Sequence, residues 1–119
     1  MKKFKFIITP LIVLFSVGIY SIEANQKVEN FRLNDQLGNS HELFYYSDHE
    51  ALVFLVQGNG CPIARNASVR FHELNEMYSE KKVKFFMLNS NLQDSKTSIL
   101  EEARSYVYKL PILMDHTQL

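Results

Sequence analysis

The chain has 119 residues, 46% hydrophobic and 22% charged, with a formal net charge of zero. That length holds one domain at most, and the apolar fraction is too high for a disordered chain. The balanced charge hides three N-terminal lysines; without them the remainder is slightly acidic, with no basic stripe of the kind that binds nucleic acid.

Residues 1–24 read as a secretory signal peptide. Lys2, Lys3 and Lys5 form a positive start, Phe6 to Tyr20 is an uncharged and mostly apolar run, and Ile22-Glu23-Ala24 offers a cleavage site after Ala24. An uncleaved anchor helix is the other reading. The run is shorter than the ~20 residues of a membrane span, and Pro10 and Gly18 interrupt it. The pattern points to export, and its bacterial style to the periplasm. An exported domain lives in an oxidising space. Yet Cys61 is the sole cysteine, so no internal disulfide can form and the fold rests on its core.

After a polar lead-in, Phe31-Arg32-Leu33 alternates, Asp35 to Asn39 carries turn chemistry, and His41-Glu42-Leu43 alternates again. This predicts a β-hairpin. Ser47 to Glu50 predicts a turn. Ala51 to Val56 is continuously apolar, the pattern of a central strand buried on both faces. Gln57-Gly58-Asn59-Gly60 is a flexible break. Pro62 then opens a helix, where its missing N–H costs nothing. Ala67, Phe71, Leu74 and Tyr78 recur at helical spacing and predict its buried face.

Val83 to Leu88 predicts a second core strand, and Asn89 to Asp94 a polar loop. Ser98 and Glu101 have capping-box spacing, although Asp94 or Ser95 also suits the start of the second helix. Ile99, Ala103 and Val107 give that helix an apolar stripe, with Glu101, Glu102 and Arg104 on a solvated face. Pro111 to Met114 predicts a third strand. The order hairpin-β-α-β-α-β implies an α/β fold with right-handed crossovers and a mostly parallel sheet. Sites in such sheets form where loops leave the carboxyl ends of strands, and Gly58 to Cys61 lies at one.

One constellation could carry chemistry. A strand, a Gly-containing loop and Cys61 at the start of a helix place a thiol beside unpaired backbone N–H groups. Such a setting stabilises an anion, and the thiolate is the nucleophilic form of cysteine. Arg65 lies one helical turn on and can add positive charge. Gly58, Asn59, Gly60 and Pro62 form an access loop that leaves room for a substrate. The plain alternatives stand beside this: Cys61 as an inert small residue, and Arg65 pointing into solvent. Asn66-Ala67-Ser68 matches a glycosylation sequon inside a helix, where chance is the simpler account. His41, His49, His72 and His116 are scattered, and Cys61 with His116 offers at most two ligands for copper or zinc.

The chain resembles the redoxin and peroxiredoxin-like (AhpC/TSA-type) group of the thioredoxin superfamily. The residues that carry the likeness are Phe31 to Asn39, the strand Ala51 to Val56, Gly60-Cys61-Pro62-Ile63-Ala64-Arg65, Phe85 to Asn91 and Pro111 to Asp115. The likeness covers roughly residues 27 to 119 by pattern. It implies a thioredoxin-like domain over 25–119, with Cys61 at the position of the reactive thiol. It also implies an external thiol or thiol–disulfide reductant, a peroxide as a candidate substrate, an antioxidant role, and neither cofactor nor metal. A membrane contact would come only through an uncleaved leader.

Three departures accompany it. The position of a second cysteine holds Ala64, followed by Arg65, so dithiol exchange within the motif is impossible. Gln57 to Gly60 lack the Pro and the Thr or Ser that precede a peroxidatic cysteine. The cis-proline, last strands and final helix of the family have no counterpart before Leu119. The sequence is therefore expected to be a fragment, with a short relative that pairs with a partner chain as the alternative. A redox-inactive thioredoxin-like binding or assembly module is the second reading of function.

Overall fold

The computed structural model describes residues 27–118. The expected signal peptide lies outside the described residues. Five strands form one sheet: β1 (Arg32–Asp35), β2 (Ser40–Glu42), β3 (Ala51–Val56), β4 (Val83–Asn89) and β5 (Ile112–Met114). Two helices, α1 (Pro62–Tyr78) and α2 (Lys96–Ser105), connect the last three strands. The strand order is β2-β1-β5-β4-β3. β3, β4 and β5 pair in parallel, whereas β1 pairs antiparallel with both β2 and β5.

The hairpin forms where expected. Asp35 organises its turn by accepting hydrogen bonds from the Leu37 amide at 2.9 Å and the Asn39 amide at 2.8 Å. Leu43–Tyr46 is a short 3-10 turn, not a strand. Both helices cover the same face of the sheet. There Phe71 of α1 and Ile99 and Ala103 of α2 meet Phe85, Met87 and Ile112, with Val53 and Leu55 packed against them. On the other face Phe54 and Phe86 stack at 5.6 Å, and His41 and Tyr46 meet the Phe86 ring edge-on at 5.4 and 5.1 Å.

Among the described residues β3 has a strand neighbour on one side and is half-buried along most of its length, while β4 is flanked on both sides. A continuous apolar run signals burial but cannot set strand order, which is a long-range property. Three expectations need correction. The buried stripe of α1 is Ala64, Ser68 and Phe71, while Ala67 and Tyr78 are exposed. Ser68 can be buried because its hydroxyl donates to the Arg65 carbonyl at 2.7 Å. Val107 lies beyond the end of α2, exposed and with φ of 56°. The second helix starts at Ser95, whose side chain accepts from the Ser98 amide, so Ser98 is not the cap.

Candidate active site around Cys61

Cys61 stands at the N-cap of α1, with extended backbone (φ −75°, ψ 110°) and Pro62 directly after it. Its side chain makes no capping hydrogen bond and is partly exposed. The loop before it turns at Gly60, whose φ of 74° is disfavoured for residues with a Cβ. A Cβ built there would meet nothing within 4 Å, so the space at Gly60, next to Cys61 in the chain, is open. The Cys61 amide donates to the Gly58 carbonyl at 3.2 Å and closes the turn.

Two carboxylates hold this loop from the α2 side. Asp94 Oδ2 accepts from the Asn59 amide at 2.9 Å and from Asn89 Nδ2 at 2.9 Å. Glu102 Oε2 accepts from the Gly60 amide at 2.8 Å. Asn59 Nδ2 donates to Ser98 Oγ at 3.0 Å, which adds a third tie to α2. The loop that reads as flexible is therefore pinned by side chains distant in sequence.

Arg65 does not point freely into solvent. Its Nη2 lies 3.5 Å from Glu102 Oε1, and its guanidinium carbon lies 3.7 Å from the centroid of the Tyr106 ring. It stands on the Cys61 side of α1, one turn on, where its amide donates to the Cys61 carbonyl at 3.0 Å. Its charge is thus partly balanced by Glu102. Sequence reasoning puts Glu102 on a solvated face and Asp94 at a candidate helix start; the structure instead turns Glu102 inward, 13% exposed, and brings both to this loop. The available signal was spacing: Glu102 precedes Ala103 and follows Ile99 by three, so it flanks the buried stripe of α2.

Three histidines have structural partners. His41 bridges Asp35 at 2.9 Å and the Tyr46 hydroxyl at 2.7 Å. His72 accepts from the Lys109 amide through Nε2, which leaves Nδ1 to donate to the Ser68 carbonyl at 2.6 Å. His49 pairs with Asp48 at 2.8 Å. His116 is exposed. Among the described residues no three or more His, Cys, Asp or Glu side chains are grouped to hold a metal.

Burial works to raise the Asp35 carboxyl. Hydrogen bonds from His41, the Asn39 side chain, and the Asn39 and Leu37 amides outweigh it and leave the group below its ordinary 3.8. The Tyr46 hydroxyl is raised, first by burial and then by the Asp35 charge. The Tyr108 hydroxyl is raised chiefly by burial.

A parallel β-α-β-α-β unit with a cysteine at the first helix start, preceded by an antiparallel hairpin, defines a thioredoxin-like redoxin domain. The profile of the AhpC/TSA family matches residues 24–119, and the chain belongs to that family. Solved structures agree. An uncharacterized conserved protein from Geobacillus kaustophilus is 26% identical with a TM-score of 0.64, over 78% of this chain and 52% of that one. Peroxidoxin BcpB from Mycobacterium tuberculosis is 19% identical with a TM-score of 0.63, over 76% and 57%. The thioredoxin domain of a thiol-disulfide oxidoreductase from Bacteroides vulgatus is 13% identical with a TM-score of 0.61, over 76% and 62%. The chain therefore spans between half and two thirds of these structures. No curated protein matches it significantly.

Proposed function

We propose that this redoxin is a single-cysteine thiol oxidoreductase of the peroxiredoxin-like kind, with Cys61 as its nucleophile. The observation that carries this reading is the placement of a partly exposed thiol at the N-cap of α1, beside open space at Gly60. Backbone N–H groups at a helix start favour an adjacent anion.

The chemistry balances with one peroxide and two equivalents of an external thiol. The Cys61 thiolate attacks the distal peroxide oxygen. The S–O bond forms, the O–O bond breaks, and the leaving oxygen takes a proton as water or an alcohol. Cysteine is oxidised to sulfenic acid. An external thiol then attacks the sulfenic sulfur, forming a mixed disulfide and releasing water. A second thiol exchanges onto that disulfide and returns Cys61 as thiol. The thiol comes from outside the motif, because the position three after Cys61 holds Ala64. Arg65 assists by holding positive charge one helical turn from the sulfur. Gly58, Asn59, Gly60 and Pro62 shape the access path.

Export to the bacterial periplasm belongs to the same proposal. It rests on the lysine-led apolar run of residues 2–24, which delimits a mature domain from residue 25.

The test is turnover. Hydrogen peroxide consumption supported by dithiothreitol is measured for the chain and for Cys61→Ser. The proposal expects catalysed consumption that the variant abolishes. Equal consumption by both overturns it. It would favour the second reading, a redox-inactive binding module, to which the occupied amides of Asn59 and Gly60 lend support.

A further inference from the structure

Among the described residues, three buried side-chain polar atoms lack a hydrogen-bond partner: Gln57 Nε2, Asn59 Oδ1 and Arg65 Nε. All three lie between positions 57 and 65, around Cys61. Buried polar groups are satisfied almost throughout folded proteins, and exceptions mark catalytic sites or places where a polar molecule binds. Gln57 is 6% exposed. It follows Val53 and Leu55 at strand spacing, and its amide continues the ladder by donating to the Leu88 carbonyl at 2.9 Å. It therefore shares the face of β3 that the helices cover, beneath the start of α1. Gln57 Nε2 and Arg65 Nε are donors, and Asn59 Oδ1 is an acceptor.

Charge around the same segment is unequal. Asp94 occupies the Asn59 amide, and Glu102 occupies the Gly60 amide and contacts Arg65. Consecutive loop amides are the groups an anion would use. Here the protein's own carboxylates fill them, two against one guanidinium. An anionic co-reactant meets occupied donors and repulsion, whereas a neutral one meets no such repulsion.

We propose that Glu102, together with Asp94, makes the Cys61 site selective for neutral co-reactants over anionic ones. This rests on the reading of Cys61 as a reactive thiol. An uncharged hydroperoxide belongs to the favoured class. A disulfide or thiol flanked by carboxylates belongs to the disfavoured class.

Iodoacetamide and iodoacetate test this directly. Each forms an S–C bond to the thiolate and releases iodide, and only the second carries charge. Rates are followed by intact mass on the 119-residue chain, folded and in urea. The amide-to-acetate rate ratio is expected to be about three- to tenfold higher in the folded chain than in urea. Glu102→Gln keeps an acceptor for the Gly60 amide and is expected to bring the ratio at least halfway back. Arg65→Gln removes the balancing cation and is expected to widen the ratio, which carries the test independently should the first variant fail to fold.

A structural role alone would move both rates together and leave their ratio unchanged. A folded ratio equal to that in urea, or one that neither variant moves, overturns the selectivity. A folded chain inert to both reagents overturns the thiol reading and this inference with it.

Discussion

The Glu102 carboxylate accepts from the Gly60 amide at 2.8 Å, immediately before Cys61, and lies 3.5 Å from Arg65, one turn after it. One side chain from α2 thus spans the candidate nucleophile from both sides. Glu102 is held in place because Ile99 and Ala103 anchor α2 in the core. The packing of one helix sets the electrostatics of another.

Anchoring α2 begins at its cap. Ser95 Oγ accepts from the Ser98 amide at 3.1 Å. Ser95→Ala is expected to cost about 0.5–2 kcal/mol in urea unfolding. Amide exchange at Ser98 should accelerate more than exchange in β4. Unchanged exchange at Ser98 would mean that the cap contributes nothing.

The core away from the helices depends on Phe86, which is 1% exposed and packs against Phe54, His41 and Tyr46. Phe86→Ala is expected to cost about 3–5 kcal/mol. Urea denaturation followed by far-UV circular dichroism checks it. A cost within about 1 kcal/mol would mean that this face contributes little to stability.

Asp35 carries the hairpin turn and orients His41. Asp35→Ala removes the acceptor for the Leu37 and Asn39 amides and for the His41 ring, with an expected cost of about 2–4 kcal/mol.

The same carboxylate makes stability depend on acid. Its folded value lies below the ordinary 3.8, so on acidification the unfolded chain takes up the proton first. Its contribution is fully present above about pH 4 and is lost as pH falls through the folded value. Glu42 and Asp48 are also lowered, but Asp48 is exposed and half-buried Glu42 pairs with the exposed Arg32, where solvent screens them. The urea midpoint of the chain is expected to drop between about pH 6 and pH 3, and Asp35→Ala to drop less. Equal drops would assign the acid sensitivity elsewhere.

Much of this fold is legible in the sequence because its signals are local. Asp35 to Asn39 announces a turn, Pro62 announces a helix start, and Val83 to Leu88 announces a buried strand. That β4 rather than β3 is flanked on both sides among the described residues is not legible, since apolarity reports burial and not neighbours. The α1 stripe was misplaced because Ser68 reads as polar, yet its hydroxyl is satisfied within its own helix. Cys61 was legible from the strand-loop-helix pattern. Glu102 was not, because a charged residue on a helix is ordinarily solvated, and only the approach of the Gly60 loop turns it inward.

The most direct test of the central claim is the second-order rate of Cys61 oxidation by hydrogen peroxide. It is read as sulfenic acid trapped with dimedone, in the folded chain and in the same chain unfolded in urea. Placement at the α1 start beside open space at Gly60 is expected to make the folded chain react at least tenfold faster. An equal or slower rate in the folded chain would contradict the assignment of Cys61 as a nucleophile.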